Sequence, residues 1–216
     1  MAYRVPRSYR NYSFCRRHEP ALTVAPGAEV IVETEDCFDG QMPHEAVEGS
    51  LTYIQPGRGN PASGPVEVTG AKPGMTLVAE ILDVTCDRHG VVYGSDRRTT
   101  AVQVDIAQIG DGRVSCLGRE FTLDPVVGVL GVAPALGDVP STHPGPHGGN
   151  LDCCDIKRGA KVYLPVGVPG ALFSCGDIHA LQSDGESCGM GIEVAGEVTV
   201  RLSPLPHTVA PWPVVE

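Results

Sequence analysis

The sequence predicts a mainly β protein, an antiparallel jelly-roll-like β-sandwich with few short helices. Three observations carry that expectation. Glycine and proline are abundant, 27 and 19 of 216 residues, and both interrupt helices. Short β-branched runs recur along the chain with turn residues between them. No long segment shows an apolar stripe at i, i+3, i+4, i+7 bounded by caps. In chain order, 29–34 and 65–69 are the first expected strands. Residues 76–85 read TLVAEILDVT, apolar on both faces, which predicts a buried central strand. Segments 102–109, 113–123, 161–166 and 171–175 continue the series, with Asp111-Gly112 as a hairpin signal between two of them. Near the C-terminus Val198, Val200 and Leu202 alternate with Thr199 and Arg201, the pattern of a half-buried strand. Asp152 to Arg158 is the one segment expected to start a short helix. The Pro/Gly clusters at 55–65 and 134–150 read as long loops within one domain, and loops of that length are often functional. Residues 1–24 are taken as an N-terminal arm and 25–216 as the β domain.

Composition narrows the function. With 42% hydrophobic and 19% charged residues the chain is globular, and it has the length to bury a full core. No apolar run approaches the roughly 20 residues of a spanning helix. Acidic residues outnumber basic ones 26 to 16, and the net charge of −10 repels nucleic acid and anionic membranes. Arg4, Arg7, Arg10, Arg16 and Arg17 precede Glu19 without an apolar segment of signal-peptide type. A cytoplasmic location is the expectation, and an organellar transit peptide is the competing reading. The 8 cysteines are irregularly spaced and include no C-x-x-C pair, which favours reduced thiols over bridges or a zinc ribbon. Cys86, Cys116, Cys175 and Cys188 are expected as small buried hydrophobes.

Chemistry concentrates in 143–193. His18, His44, His89 and His207 stand in turn-like contexts and are read as surface residues. By contrast His147, Asp152, Asp155, Asp177, His179, Asp184, Glu186 and Glu193 fall in short loops beside strands, where side chains from several loops can meet. Imidazole with carboxylate is the ligand set of catalytic zinc and related divalent sites. Asp and Gly also make ordinary β-turns, so GD or DGE alone would signify a turn. The density of such residues here favours a site.

The ordered motif HGGNLD, LPVGVPGALFSCGDIHALQSDGE and GIE over 147–193 resembles the core signature of the acetamidase/formamidase family of amide hydrolases. VETEDCFDG at 32–40, NPASGP at 60–65 and AKPGMTLVAEILDV at 71–84 are similar to its N-terminal pattern, so the resemblance covers about 25–202. It implies a jelly-roll-like core, a homo-oligomer (dimer or higher), a divalent metal such as zinc, and hydrolysis of a small primary amide to carboxylate and ammonia. The corresponding roles place Asp36, His147, Asp177 and His179 around the metal. Glu186 or Glu193 takes a proton from water and delivers it to the leaving nitrogen. Asn150 is a candidate oxyanion donor, with the N–H groups of Gly148 and Gly149 as helpers, an effect typically worth about 2.7–4 kcal/mol per donor. An Asx-type turn is the alternative use of Asn150. His143 is left at the rim.

Two departures accompany the resemblance. Ser183 stands where the family often has glycine before DGE, and relatives usually continue for several dozen residues beyond the strand matching VTVRL. These keep open a second expectation, a β-sandwich binding or assembly protein without turnover. Covalent routes have little support. A Cys-Glu-Lys site has only Lys72, Lys157 and Lys161 to draw on, and no G-x-S-x-G elbow is present.

Overall fold

The computed structural model describes residues 3–41, 55–95, 102–186 and 189–216. The N-terminal strands are β1 (Tyr3–Val5), β2 (Arg10–Asn11), β3 (Ser13–Cys15) and β4 (Leu22–Val24), followed by β5 (Ala28–Thr34), β6 (Ala62–Val68) and the long β7 (Thr76–Ser95). Next come β8 (Val102–Gly110), β9 (Arg113–Cys116), β10 (Arg119–Thr122), β11 (Val126–Gly131), β12 (Asp138–Pro140) and β13 (Gly148–Asn150). The series ends with β14 (Lys161–Pro165), β15 (Phe173–His179), β16 (Glu193–Leu205) and β17 (Val214–Val215). The main sheet runs β10-β9-β8-β7-β16-β15-β11-β13. It branches where β5 joins β16, β6 joins β15 and β14 joins β7, around a main hydrophobic core with smaller clusters at Phe14, Ala62 and Val129 and at Ala133, Val168 and Leu172.

Period-two alternation explains that core. Val30 and Val32 of β5, Leu77, Ala79 and Ile81 of β7, and Val198, Val200 and Leu202 of β16 are all fully buried. Register brings them together: Val198 pairs with Val32 on one side and Val84 on the other, and Val200 pairs with Val30 and Ile81. Each such side chain contributes roughly 1.5–3 kcal/mol when withdrawn from water. The strand at 76–85 is central, as expected, but it buries one face only. Val78, Glu80 and Leu82 are half-buried between the buried positions.

Several local expectations change. The 113–123 run is broken into β9 and β10 by a turn at Leu117 and Gly118, both with positive φ (51° and 67°). The Asp111-Gly112 hairpin forms, with Gly110 opposite Arg113 and both turn residues at positive φ, as a two-residue turn of primed type requires. No helix forms at 152–158: Asp152 has φ 42°, and Lys157 bridges to Val126 instead. Among the described residues the only helical element is a 3-10 turn, Asp184–Glu186. Pairing is antiparallel except that β1 runs parallel to β5 and β4 parallel to β6.

The segment read as an arm is woven into the sheet through these pairings and through β2 with β6. A buried ion cluster fixes it further. The Asp39 carboxylate, fully buried, contacts Arg10 and Arg58 and accepts a hydrogen bond from Tyr12 Oη at 2.8 Å. His89 and His207 are exposed and His18 is half-buried, whereas His44 and Cys188 lie outside the described residues. The seven described cysteines are all free thiols; Cys116 and Cys175 are buried and Cys86 is half-buried.

Candidate active site

Three adjacent strands and three loops build one polar pocket. Asp177 and His179 come from the C-terminal end of β15, and Glu193, at the start of β16, pairs directly across from His179. The loop after β13 supplies Asp152, the 184–186 turn supplies Glu186, and the loops preceding β6 supply Cys37 and Asn60. The floor is Gly128 of β11, lying between the pairs Val127↔Ile178 and Val129↔Gly176. A Cβ on Gly128 would stand within 2.9 Å of Asp152 Oδ1, His179 Cε1 and Asp177 Oδ2, so a side chain there would occupy the space where the three functional groups meet. The cavity measures about 230 Å³.

Its geometry centres on the imidazole. His179 Nε2 lies 3.2 Å from Glu193 Oε2, 3.5 Å from Asp177 Oδ1 and 3.9 Å from Glu186 Oε1. Asn60 Nδ2 donates to Asp177 Oδ2 at 2.8 Å and to Asn150 Oδ1 at 3.2 Å, and Asn150 Nδ2 donates to Asp152 Oδ2 at 2.7 Å. The backbone N–H of Gly191 donates to Glu193 Oε1 at 3.0 Å. Asp177, Asp152 and Glu193 are thus each held by one oxygen while the other faces the cavity. Asp152 Oδ1, Asp177 Oδ1, Glu186 Oε1 and Glu193 Oε2 are buried without a hydrogen-bond donor in satisfactory geometry. Native proteins leave few such atoms unpaired, and four in one cavity form a group that could hold a cation. Two neighbouring triads each have ligand atoms within 4.8 Å of one another: Cys37, Asp177 and Glu193, and Asp152, His179 and Glu186.

The electrostatics agree. Burial pushes Asp152 up to about 7, with the Asp177 and Glu186 charges adding to it. Glu193 also rises to about 7, first through burial and then through Asp177. Burial alone would lower His179, but the flanking Glu193 and Asp177 carboxylates carry it up to about 12. Burial drives the Cys37 thiol well above its ordinary range, and the neighbouring carboxylates add to this. In the chain alone, burial and the neighbouring carboxylates therefore hold Asp152 and Glu193 toward the protonated form even beside the His179 imidazole. The backbone is also strained here: Asn60 (φ 47°), Asp152 (φ 42°), Asp177 (φ 56°) and Glu186 (φ 38°) occupy the left-handed region, at roughly 1–2 kcal/mol per residue.

Of the residues singled out from sequence, Asp177, His179, Glu186, Glu193 and Asn150 converge on this pocket. Asp36 and His147 do not line it. Asp36 Oδ1 accepts the N–H groups of Phe38 and Gly40 at 2.9 and 3.0 Å, closing the turn that presents Cys37. His147 is buried against the Phe14 ring, with centroids 5.1 Å apart, and burial lowers its pKa. Asn150 spends an amide hydrogen on Asp152. The Gly148 N–H bonds Gly145 O, and Gly148 and Gly149 serve close backbone packing: a Cβ would meet Leu130 O at 2.3 Å and His143 O at 2.1 Å respectively. His143 is exposed and bonds Thr142, a rim residue of the pocket. Ser183 does not need the glycine-like backbone, because the positive φ values of its turn fall at Gly185 and Glu186. Lys157 pairs with Asp124 at 2.7 Å on the surface, away from any Cys-Glu site. Asp152, one of the candidates of the 143–193 cluster, also lines the pocket, whereas Cys37 and Asn60 carry no signal of their own in the sequence beyond lying inside motifs that carry the family resemblance.

Fold and site together define a mainly β protein with a carboxylate-rich, imidazole-centred pocket. The profile of the Acetamidase/Formamidase family matches residues 10–143 and 138–210, and the chain belongs to that family. It is similar to the formamidase of Methylophilus methylotrophus, 26% identical over 83% of this chain and 60% of that protein. The chain therefore spans about 60% of the length of that relative. Among solved structures, an acetamidase from Bacillus halodurans superposes with a TM-score of 0.92 at 36% identity, over 99% of this chain and 74% of that one. A recombinant predicted acetamidase/formamidase from Thermoanaerobacter tengcongensis gives 0.93 at 35% identity, over 100% and 73%. No helix among the described residues is long and apolar enough to cross a membrane.

Proposed function

We propose that the chain hydrolyses a small linear primary amide, of the formamide or acetamide type, to carboxylate and ammonia with the help of a divalent cation. The observation that carries this reading is the set of four inward, unpaired carboxylate oxygens around His179. The cavity volume, about 230 Å³, falls below the roughly 300–1,000 Å³ typical of drug-sized ligands and favours a small substrate. Family membership and the names of the similar proteins support amide hydrolysis as the reaction.

The donor set fits a cation. Asp177, Glu193 and His179 are the residues that would hold it, since the two carboxylate oxygens lie 3.5 and 3.2 Å from His179 Nε2 and an ion would take the place of the imidazole proton between them. When bound, a divalent ion polarises a carbonyl and lowers the pKa of water to about 7. Protons are then handled by Asp152 and Glu186, on the other side of the imidazole. Asp152 is oriented by Asn150 through Oδ2, leaves Oδ1 free toward the cavity, and sits near neutrality, where a group both accepts and gives a proton efficiently. Glu186 lies on the exposed turn at the pocket mouth and can pass that proton toward the departing nitrogen. Asn60 bridges the two halves by binding both Asp177 and Asn150.

The test is ammonia release from formamide and acetamide by purified protein, with elemental analysis of the same samples, wild type beside His179→Ala. Stoichiometric divalent metal and turnover, both lost in the variant, are expected. Turnover that persists in full after complete metal removal would sink the reading.

A further inference from the structure

We infer that Cys37 is a metal ligand of this chain: its thiolate joins Asp177 and Glu193, with His179 beside them, in holding the cation, and the sulfur selects a zinc-like ion over magnesium or calcium. The inference rests on the cation reading of the pocket and adds to it the binding subsite, the sulfur donor and the class of ion.

Geometry carries it. Cys37 Sγ and one oxygen each of Asp177 and Glu193 lie within 4.8 Å of one another. Asp177 and Glu193 are 1% and 2% exposed, and their Oδ1 and Oε2 atoms face the cavity with His179 Nε2 at 3.5 and 3.2 Å but no hydrogen bond of good geometry. Cys37 is a free thiol on the wall of the same cavity. Its position is fixed from both sides. Asp36 caps the turn through the N–H groups of Phe38 and Gly40, and the Cys37 carbonyl accepts the Asn60 N–H at 2.8 Å. Asp36 is on this account a positioning residue for the sulfur.

The chemistry follows from donor softness. A site of oxygens alone suits magnesium, calcium or manganese, whereas thiolate with carboxylate or imidazole suits zinc and its congeners. Magnesium demands near-octahedral oxygen ligation, which a sulfur in the triad defeats. Binding exchanges the thiol proton for the ion: the S–H bond breaks, the proton leaves to solvent, and the sulfur pair forms the new bond to the metal with no change of oxidation state. The competing subsite is the all-nitrogen-and-oxygen triad of Asp152, His179 and Glu186.

Cobalt(II) distinguishes the two subsites without any activity measurement. The full chain is stripped with chelator under reducing conditions and reloaded with cobalt, and bound metal is counted while the near-ultraviolet spectrum is recorded. A sulfur-to-cobalt charge-transfer band is expected in wild type, absent in Cys37→Ser and retained in Asp152→Asn. Competition is expected to show zinc or cadmium displacing the bound cobalt and magnesium failing to do so. Cadmium NMR on wild type gives the same answer through a sulfur-ligated chemical shift, independently of whether a variant folds. Stoichiometric cobalt with no sulfur band, or a band that survives Cys37→Ser, overturns the inference and leaves the cation reading of the pocket standing. Failure to bind any divalent ion removes both.

Discussion

Replacing Gly128 by alanine tests whether the pocket floor, rather than any polar residue, sets the geometry of the site. The added Cβ would stand 2.8 Å from Asp152 Oδ1, 2.8 Å from His179 Cε1 and 2.9 Å from Asp177 Oδ2. Comfortable contact begins near 3.5 Å, so the three side chains must retreat by roughly 0.5–1 Å. Gly128 is not among the residues with positive φ, so alanine suits its backbone and the effect is steric. All three clashing atoms are side-chain tips. They can move without unfolding the sheet, which puts the overpacking cost at the low end of the usual range, about 1 kcal/mol. A gain of about 0.4–1 kcal/mol from restricting the unfolded chain offsets most of it. Stability should therefore change little. Catalysis should not be spared, because a displacement of about 1 Å costs on the order of 100-fold in rate, or about 2.7 kcal/mol of transition-state stabilisation. The assay pairs urea-denaturation midpoints with kcat/KM for ammonia release and with metal content. Gly110→Ala is the control, since nothing lies within 4 Å of a Cβ there. Wild-type turnover in Gly128→Ala would refute the reasoning, as would an activity loss no larger than the fraction unfolded.

Three further perturbations follow from the same structure. In metal-depleted protein, Asp152 and Glu193 titrate near 7 against ordinary values of 3.8 and 4.5, so the folded form keeps protons that the unfolded chain sheds. His179, near 12 against 6.5, acts in the same sense at higher pH. Stability must then fall as pH rises from about 4 through neutrality; urea midpoints across that range measure the slope, which a bound divalent ion should flatten. The Arg10→Met, Arg58→Met double variant leaves the buried Asp39 carboxylate with Tyr12 alone and should cost about 3–5 kcal/mol, read from the same unfolding curves. Asn60→Ala removes the donor to Asp177 and puts a residue without a polar side chain at φ 47°, so a loss of about 2–4 kcal/mol is expected. If Asn60→Ala unfolds at the wild-type urea midpoint, the bridging role assigned to that amide is wrong.

Local chemistry makes much of this protein legible from its sequence. Alternation at Val198, Val200 and Leu202 announces a strand with one buried face, because side chains on a strand alternate whatever the partner is. Asp111-Gly112 announces its hairpin because few residue pairs tolerate two consecutive positive φ values. The concentration of His, Asp and Glu in 143–193 likewise points to the segment that supplies most of the pocket, including Asp177, His179, Glu186 and Glu193. A net charge of −10 weighs against polyanion partners through long-range repulsion, an expectation that needs no fold.

Tertiary structure alone decided which of these groups meet. Asp36 and Asp177 look equally eligible in sequence. One bonds its own turn and the other points into the cavity, a difference fixed by hydrogen bonds that single-chain spacing does not encode. His147 and His179 differ in the same way, the first packed on Phe14 and the second ringed by carboxylates. Cys37 and Asn60 enter the pocket because strand pairing returns the 36–41 and 55–61 segments to the end of β15, more than a hundred residues away along the chain. The left-handed backbone at Asp152 turned an expected helix start into a site residue, since the surrounding sheet holds it in a conformation that local preference disfavours. Sequence states which groups are available and which faces are buried. Convergence is a property of register and loop closure, and it exists only once the sheet has formed.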